Sequence, residues 1–237
     1  MSALSADDIA RRREQVLERI ARAAERRGRD PACVLLLAVV KSHPAELVRN
    51  AARAGLTLFG ENRVAEGRAK IEAVREDFPH LTWRLIGPLQ TNKAKPALQY
   101  FSAVESLDRE RLAARLETLL APEGKRLPVL LEFNLGGEPT KSGAPPEKAD
   151  ELARAVLSFQ HLDLRGVMCV PPFSEDPEGA RSYFRRLVAI RDRLADSCGR
   201  PFPEVSMGMS HDFEVAVEEG STEVRIGTAL FGARENA

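Results

Sequence analysis

The chain opens with helical spacing: Ile9, Val16, Leu17, Ile20 and Ala24 fall near one face of the segment Ala6 to Arg27, with Arg and Glu on the others. The period then changes. Val34 to Val40 is a continuous apolar run, the mark of a strand buried on both faces of a parallel sheet. Pro44 opens a helical stretch to Ala54, and Gly55 ends it. Leu56 to Phe59 predicts a second strand, followed by a helix from Asn62 to about Glu76. Thr82 to Ile86 predicts a third, followed by a short helix broken or shifted at Pro96.

The second half repeats the alternation. Phe101 to Glu105 predicts the fourth strand, and Asp108 to Leu120 a helix with Ser106 or Asp108 as its N-cap. Pro128 to Asn134 is the fifth strand, with a helix from Pro145 to Ser158. Leu164 to Val170 is the sixth, before a long helix from Pro177 to Asp196. Glu204 to Met207 and Val224 to Ile226 are the seventh and eighth, with His211 to Glu219 helical between them. Eight strand–helix alternations behind a leading helix predict an α/β fold, a single (β/α)8 TIM-type barrel, as one domain spanning 1–237. An open Rossmann-like sheet would want a glycine-rich turn after its first strand, and Val40-Lys41-Ser42-His43 has none.

Composition narrows the setting. Lys plus Arg and Asp plus Glu both number 35, so no global field recruits nucleic acid or an anionic membrane. No apolar run is long enough to span a bilayer, and Arg11-Arg12-Arg13 lies in an amphipathic helix without the apolar core of a signal peptide. Cys33, Cys169 and Cys198 are an odd number without CxxC spacing, which points to reduced thiols and a cytoplasmic setting. His80, His161 and His211 are scattered, and no His/Cys/carboxylate set has metal spacing.

The unusual residues gather at the strand ends. Lys41, Gly60-Glu61-Asn62, Gly87 to Lys93, Glu105-Ser106, Asn134, Pro171-Pro172, Ser206 to Ser210 and Arg225 to Thr228 all follow or close strands. In a barrel these share the carboxyl-end face, where active sites are built. On position alone, Lys41 reads most simply as a strand-end lysine snorkelling to solvent. To attack an aldehyde its amine must be neutral, and for an ordinary lysine at pH 7 that costs about 4–5 kcal/mol. Partial desolvation and a neighbouring cation supply part of it, and Arg225, on the strand adjacent once the barrel closes, is such a cation.

Ser206, Ser210, Gly227 and Thr228 fall on the loops after strands seven and eight, the usual phosphate pocket of this fold. Hydroxyls and amides at a helix start hold a dianion well, although each is also ordinary turn and cap chemistry. Were Arg225 to face the pyridine nitrogen of pyridoxal 5′-phosphate (PLP), it would disfavour a protonated, strongly electron-withdrawing ring. Its structural alternative is an ion pair with Glu223 or Glu61. His43 lies near Lys41 but reads as a loop histidine.

Leu37-Ala-Val-Val-Lys41, Phe59-Gly-Glu-Asn62, Ile86-Gly-Pro-Leu-Gln90-Thr-Asn92-Lys93, Asn134 with Lys141-Ser-Gly143, Ser206-Met-Gly-Met-Ser210, and Val224-Arg-Ile-Gly-Thr228 through Phe231-Gly-Ala-Arg234 resemble the YggS/PROSC family of PLP homeostasis proteins. The motifs run in order over nearly the whole chain. The resemblance implies a fold-type III barrel similar to the amino-terminal domain of alanine racemase, with Lys41 as the Schiff-base lysine. It further implies Arg225 at the ring nitrogen, phosphate contacts from Ser206, Ser210, Gly227 and Thr228, and Asn62 beside the ring. Arg84 and Leu85 stand where the family often has a histidine and an aromatic, and His211 where an acidic residue is common; these departures are expected to alter the rim of the site or a surface.

The expected function is therefore PLP binding in intracellular PLP homeostasis, by a non-catalytic monomer that hands PLP to PLP-dependent apo-enzymes. The alternative is a PLP-dependent amino-acid racemase. A two-base racemase needs a second acid–base, which alanine racemase takes as a tyrosine from a partner subunit's second domain. This sequence ends soon after its last strand, and Tyr100 and Tyr183 fall at no strand end, so the carrier reading is preferred. A phosphate-binding barrel without PLP would leave Lys41 with Arg225 unexplained. Lys141 is the nearby residue that could take the aldehyde second.

Overall fold

A computed structural model describes residues 4–232, so Arg234 of the last motif lies outside the described residues. The strands are β1 (Leu35–Val39), β2 (Leu58–Glu61), β3 (Thr82–Leu85), β4 (Ala103–Leu107), β5 (Leu127–Phe133), β6 (Leu162–Cys169), β7 (Glu204–Met209) and β8 (Glu223–Ile226). They pair in parallel in chain order, and β8 returns to β1 to close the barrel. The helices are α1 (Ala6–Glu25), α2 (Ala45–Arg53), α3 (Val64–Val74), α4 (Ala94–Tyr100), α5 (Glu110–Leu120), α6 (Ala149–Leu157), α7 (Arg181–Cys198), α8 (Phe213–Glu218) and α9 (Thr228–Phe231). The predicted (β/α)8 TIM-type barrel is thus the observed fold, and the Rossmann-like alternative falls.

The leading helix begins where Ser5 accepts a hydrogen bond from the Asp8 amide, a cap that contributes about 1 kcal/mol. Its buried face (Ile9, Val16, Ile20, Ala23, Ala24) packs on α2, α8 and α9. Because α9 is a single turn, α1 covers the seam that a full eighth outer helix would cover.

Four local expectations are corrected. β2 and β4 each begin two residues later than the apolar pattern suggests. Leu56 donates to the Ala51 carbonyl behind Gly55 (φ +83°), and Phe101 donates to Ala97, so both finish helices before any strand starts. Neither Ser106 nor Asp108 caps α5. Arg109 holds that position without a side-chain cap, because Ser106 donates instead to the Gly87 carbonyl at 2.6 Å. Pro96 breaks nothing: it is the third residue of α4, in the first turn, where its missing N–H costs no helical bond. Finally, the first apolar run is not buried throughout, since Val34 is buried but Leu35 is 45% exposed, and burial is continuous only from Leu37.

Pairing register fixes what faces the barrel axis. Leu37 pairs with Arg225, while Glu132, Met168, Ser206 and Glu223 pair successively across β5 to β8. In a parallel sheet, paired residues point to one face, so this set shares the lumen. Val39, Gly60, Arg84 and Ala103 form the corresponding set across β1 to β4. The lumen is therefore polar on many strands, where barrels of this type are usually filled with branched aliphatics.

Candidate functional site

The turn after β1 presents Lys41, half-buried at the carboxyl-end face. Ser42 follows with φ +64°, a left-handed conformation that costs a non-glycine residue roughly 1–2 kcal/mol. The Val40 carbonyl accepts the His43 amide at 3.1 Å and the buried Lys70 ammonium at 2.7 Å, which holds the turn from below. His43 meets Phe231 of α9 edge-on, ring centroids 5.5 Å apart, tying this turn to the loop after β8.

On that neighbouring loop, Ser210 Oγ accepts the Gly227 amide at 3.2 Å and the Ala229 amide at 3.1 Å. Ser210 and Gly227 are half-buried and Thr228 exposed, at the first turn of α9. Asn62 follows β2, its amide donating to Glu61, and Gly87 packs so tightly on it that a Cβ would fall 2.3 Å from the Asn62 carbonyl oxygen. Lys41, Asn62, Ser210, Gly227 and Thr228 thus share one mouth, spread over the ends of β1, β2, β7 and β8.

Two expected site residues lie deeper. Arg225 is 3% exposed inside the barrel, donating to Ser206 Oγ at 2.6 Å and to the Cys169 carbonyl at 2.7 Å. A guanidinium has five N–H donors, and these acceptors take two. Neither Glu223 nor Glu61 is its hydrogen-bond partner: Glu61 is held by Lys70. Ser206 does not lie on the loop after the seventh strand. It is the third residue of β7, fully buried, with Glu105 at 2.7 Å and Glu223 at 3.0 Å as well as Arg225 around its one hydroxyl. It braces the guanidinium and does not stand beside Ser210.

Arg84 belongs to the same cluster. It lies neither at the rim nor on a surface, for its Nη1 meets Glu204 at 2.8 Å, Glu223 at 3.0 Å and Glu105 at 3.5 Å in the lumen. Burial works to lower the Arg84 guanidinium, but Glu223, Glu105 and Glu204 outweigh it and keep it firmly charged. Glu223 is pushed well above the usual carboxylate range, first by burial and then by Glu105 beside it. His211 is exposed at the rim, its Nε2 3.0 Å from the Glu175 carbonyl and its ring beside Phe173.

Glu132 belongs to no motif of the sequence. It is 7% exposed, one carboxylate oxygen lacks a hydrogen-bond partner, and burial followed by Asp108 raises it to about 7 against the pull of Arg225. A charged residue in Val129-Leu-Leu-Glu-Phe133 was the available signal, as was Lys70 on the apolar stripe with Gly67, Ile71 and Val74. By contrast, Asn134 with Lys141-Ser142-Gly143 closes its own loop. Asn134 donates to the Glu138 carbonyl at 2.8 Å, and Lys141 Nζ reaches the Pro171 carbonyl at 3.2 Å and Glu138 at 2.5 Å.

This donor set suits a phosphorylated aldehyde on a flat heterocycle. An amine stands at one strand end, hydroxyl and amides for a dianion at the next, and a guanidinium on the floor between. The alanine racemase N-terminal domain family matches residues 13–235. A pyridoxal phosphate homeostasis protein of Aquifex aeolicus is 45% identical over 94% of this chain and 97% of its own length. PipY of Synechococcus elongatus, solved with PLP bound, superposes with a TM-score of 0.80 at 35% identity over 92% of this chain and all of PipY. A protein from Bifidobacterium adolescentis reaches a TM-score of 0.88 at 35% identity, with 95% of each chain covered. The chain belongs to the alanine racemase N-terminal domain family and, within it, to the pyridoxal phosphate homeostasis proteins.

Proposed function

We propose that this chain binds PLP through a Schiff base on Lys41 and serves intracellular PLP homeostasis as a non-catalytic carrier. The observation that carries the reading is the pairing of β1 with β8, which sets the Gly227–Thr228 loop beside the end of β1 that leads into Lys41, with Arg225 level with Leu37 beneath it. When bound, the cofactor supplies a reactive aldehyde and a pyridine ring able to accept electrons. Lys41 holds the aldehyde carbon. Ser210, Gly227 and Thr228 would take the phosphate at the start of α9, and Asn62 would lie against the ring. Arg225 donates to the ring nitrogen, which keeps that nitrogen unprotonated and the ring a weak electron sink. Ser206 acts not on the phosphate but by fixing Arg225.

A weak sink suits storage better than turnover. The racemase alternative is not favoured, because relatives matched over almost their full length are homeostasis proteins. The reading extends to a single-domain cytoplasmic monomer that delivers PLP to apo-enzymes. No described helix is long and apolar enough to cross a membrane, which is compatible with that setting. The test is to load the protein with PLP, supply a panel of L-amino acids and follow chirality, then supply a PLP-requiring apo-enzyme and follow its reactivation. Reactivation without chirality change is expected; turnover at about 1 per second or faster would overturn the carrier reading.

A further inference from the structure

Lys70 is a lysine where its helix calls for an apolar residue. It is 7% exposed, on the buried stripe of α3 with Gly67, Ile71 and Val74. Its ammonium donates to the Val40 carbonyl at 2.7 Å and is paired with Glu61, which is wholly buried at the end of β2. Both contacts have a destination. The Val40 carbonyl belongs to the peptide that leads into Lys41, and it also accepts the His43 amide, closing the turn that contains Ser42 at φ +64°. The other Glu61 oxygen accepts the Asn62 amide at 3.2 Å. One ion pair therefore grips the backbone at Lys41 and at Asn62, where β1 and β2 deliver the mouth.

For stability alone this is a poor choice. A buried pair loses hydration that its mutual attraction need not recover, and an apolar side chain of similar volume would fill the stripe without that loss. What an apolar side chain cannot do is hold a carbonyl. The Val40 oxygen points away from β1 toward α3, and a strained turn follows it directly.

We infer that Lys70, held by Glu61, is a positioning residue for Lys41: it fixes the Val40–Lys41 peptide so that the Lys41 amine meets the aldehyde in one orientation. The inference rests on Lys41 being the residue that holds PLP. It concerns the covalent step and not the grip on the phosphate, since Ser210 and the Gly227 amide take no part in the Lys70 contacts.

The full chain would be prepared as wild type, Lys70→Met and Glu61→Gln, with thermal melting to establish folding. Growth of the visible Schiff-base band on mixing with PLP gives the capture rate. Binding of pyridoxine 5′-phosphate, which has the ring and phosphate but no aldehyde, gives the grip without the covalent step. In Lys70→Met, capture is expected to slow at least tenfold while pyridoxine 5′-phosphate binds within twofold of wild type. Glu61→Gln is expected to fall between, and it carries the same test if Lys70→Met does not fold. Capture at the wild-type rate, or equal loss of both ligands in a folded variant, would overturn the positioning role. If wild-type protein captures PLP at a residue other than Lys41, the parent reading fails instead, and borohydride fixation with peptide mapping tells the two failures apart.

Discussion

The mouth and the lumen of this barrel are both polar, but they use polarity in opposite ways. At the mouth, Ser210, Gly227, Thr228 and Lys41 lie half-buried or exposed on turns and at the start of α9. In the lumen, Arg84, Glu105, Glu204, Glu223, Ser206 and Arg225 bind one another beneath that surface. Charge paired within the lumen is scaffold, Glu132 with its unpartnered oxygen standing apart, and the mouth is where a ligand can compete. Arg225 joins the two regions, since its own place is set by Ser206 and Cys169 below while its strand neighbours the Lys41 turn.

The largest effect is expected from Arg84→Met. It leaves three carboxylates gathered in the lumen without their shared cation, and removing one partner of a buried pair costs about 3–5 kcal/mol. Urea unfolding is expected to show that loss. A cost below about 1 kcal/mol would mean the cluster is more solvated than its burial indicates.

The next effect concerns pH. Glu132 keeps its proton in the folded chain up to about 7, whereas in the unfolded chain it titrates near the ordinary value of 4.5. Between those values the folded chain binds more protons, so stability falls as pH rises through that window. The contribution is on the order of 3 kcal/mol at most. Glu132→Gln should flatten this slope in urea midpoints taken from pH 5 to about 7.5; an unchanged slope would assign the pH dependence to another group.

Two serines then sharpen the contrast. Ser206→Ala strands buried charged partners and should cost roughly 1–3 kcal/mol of stability. Ser210→Ala should change stability by less than about 1 kcal/mol but weaken PLP binding roughly tenfold, about 1.4 kcal/mol. Calorimetric melting and PLP titration read both. If the two serines exchange these signatures, the division between mouth and lumen is wrong.

Much of the barrel was legible because apolar runs and helical stripes alternate eight times, and because helix-ending glycines such as Gly55 punctuate them. Strand starts were less legible. Leu56 and Phe101 are apolar for the sake of helix ends, which a run-based reading takes for strand. The mouth was legible since its residues follow strands, and strand ends share one face by topology. The lumen was not. Arg84 and Glu223 stand far apart in the chain, and only closure of the barrel, with its register, brings β3 against β8 across the axis. Ser206 is hidden for a different reason: its motif partner Ser210 is at the mouth, but the strand from Ser206 to Met209 carries the two to different depths.

The central claim is that Lys41 holds PLP. Borohydride reduction of PLP-loaded protein followed by peptide mass mapping tests it directly. A pyridoxyl group is expected on Lys41 at near one per chain, and none at that level on Lys70 or Lys141. A colourless protein after loading, or an adduct carried chiefly by another lysine, would contradict it.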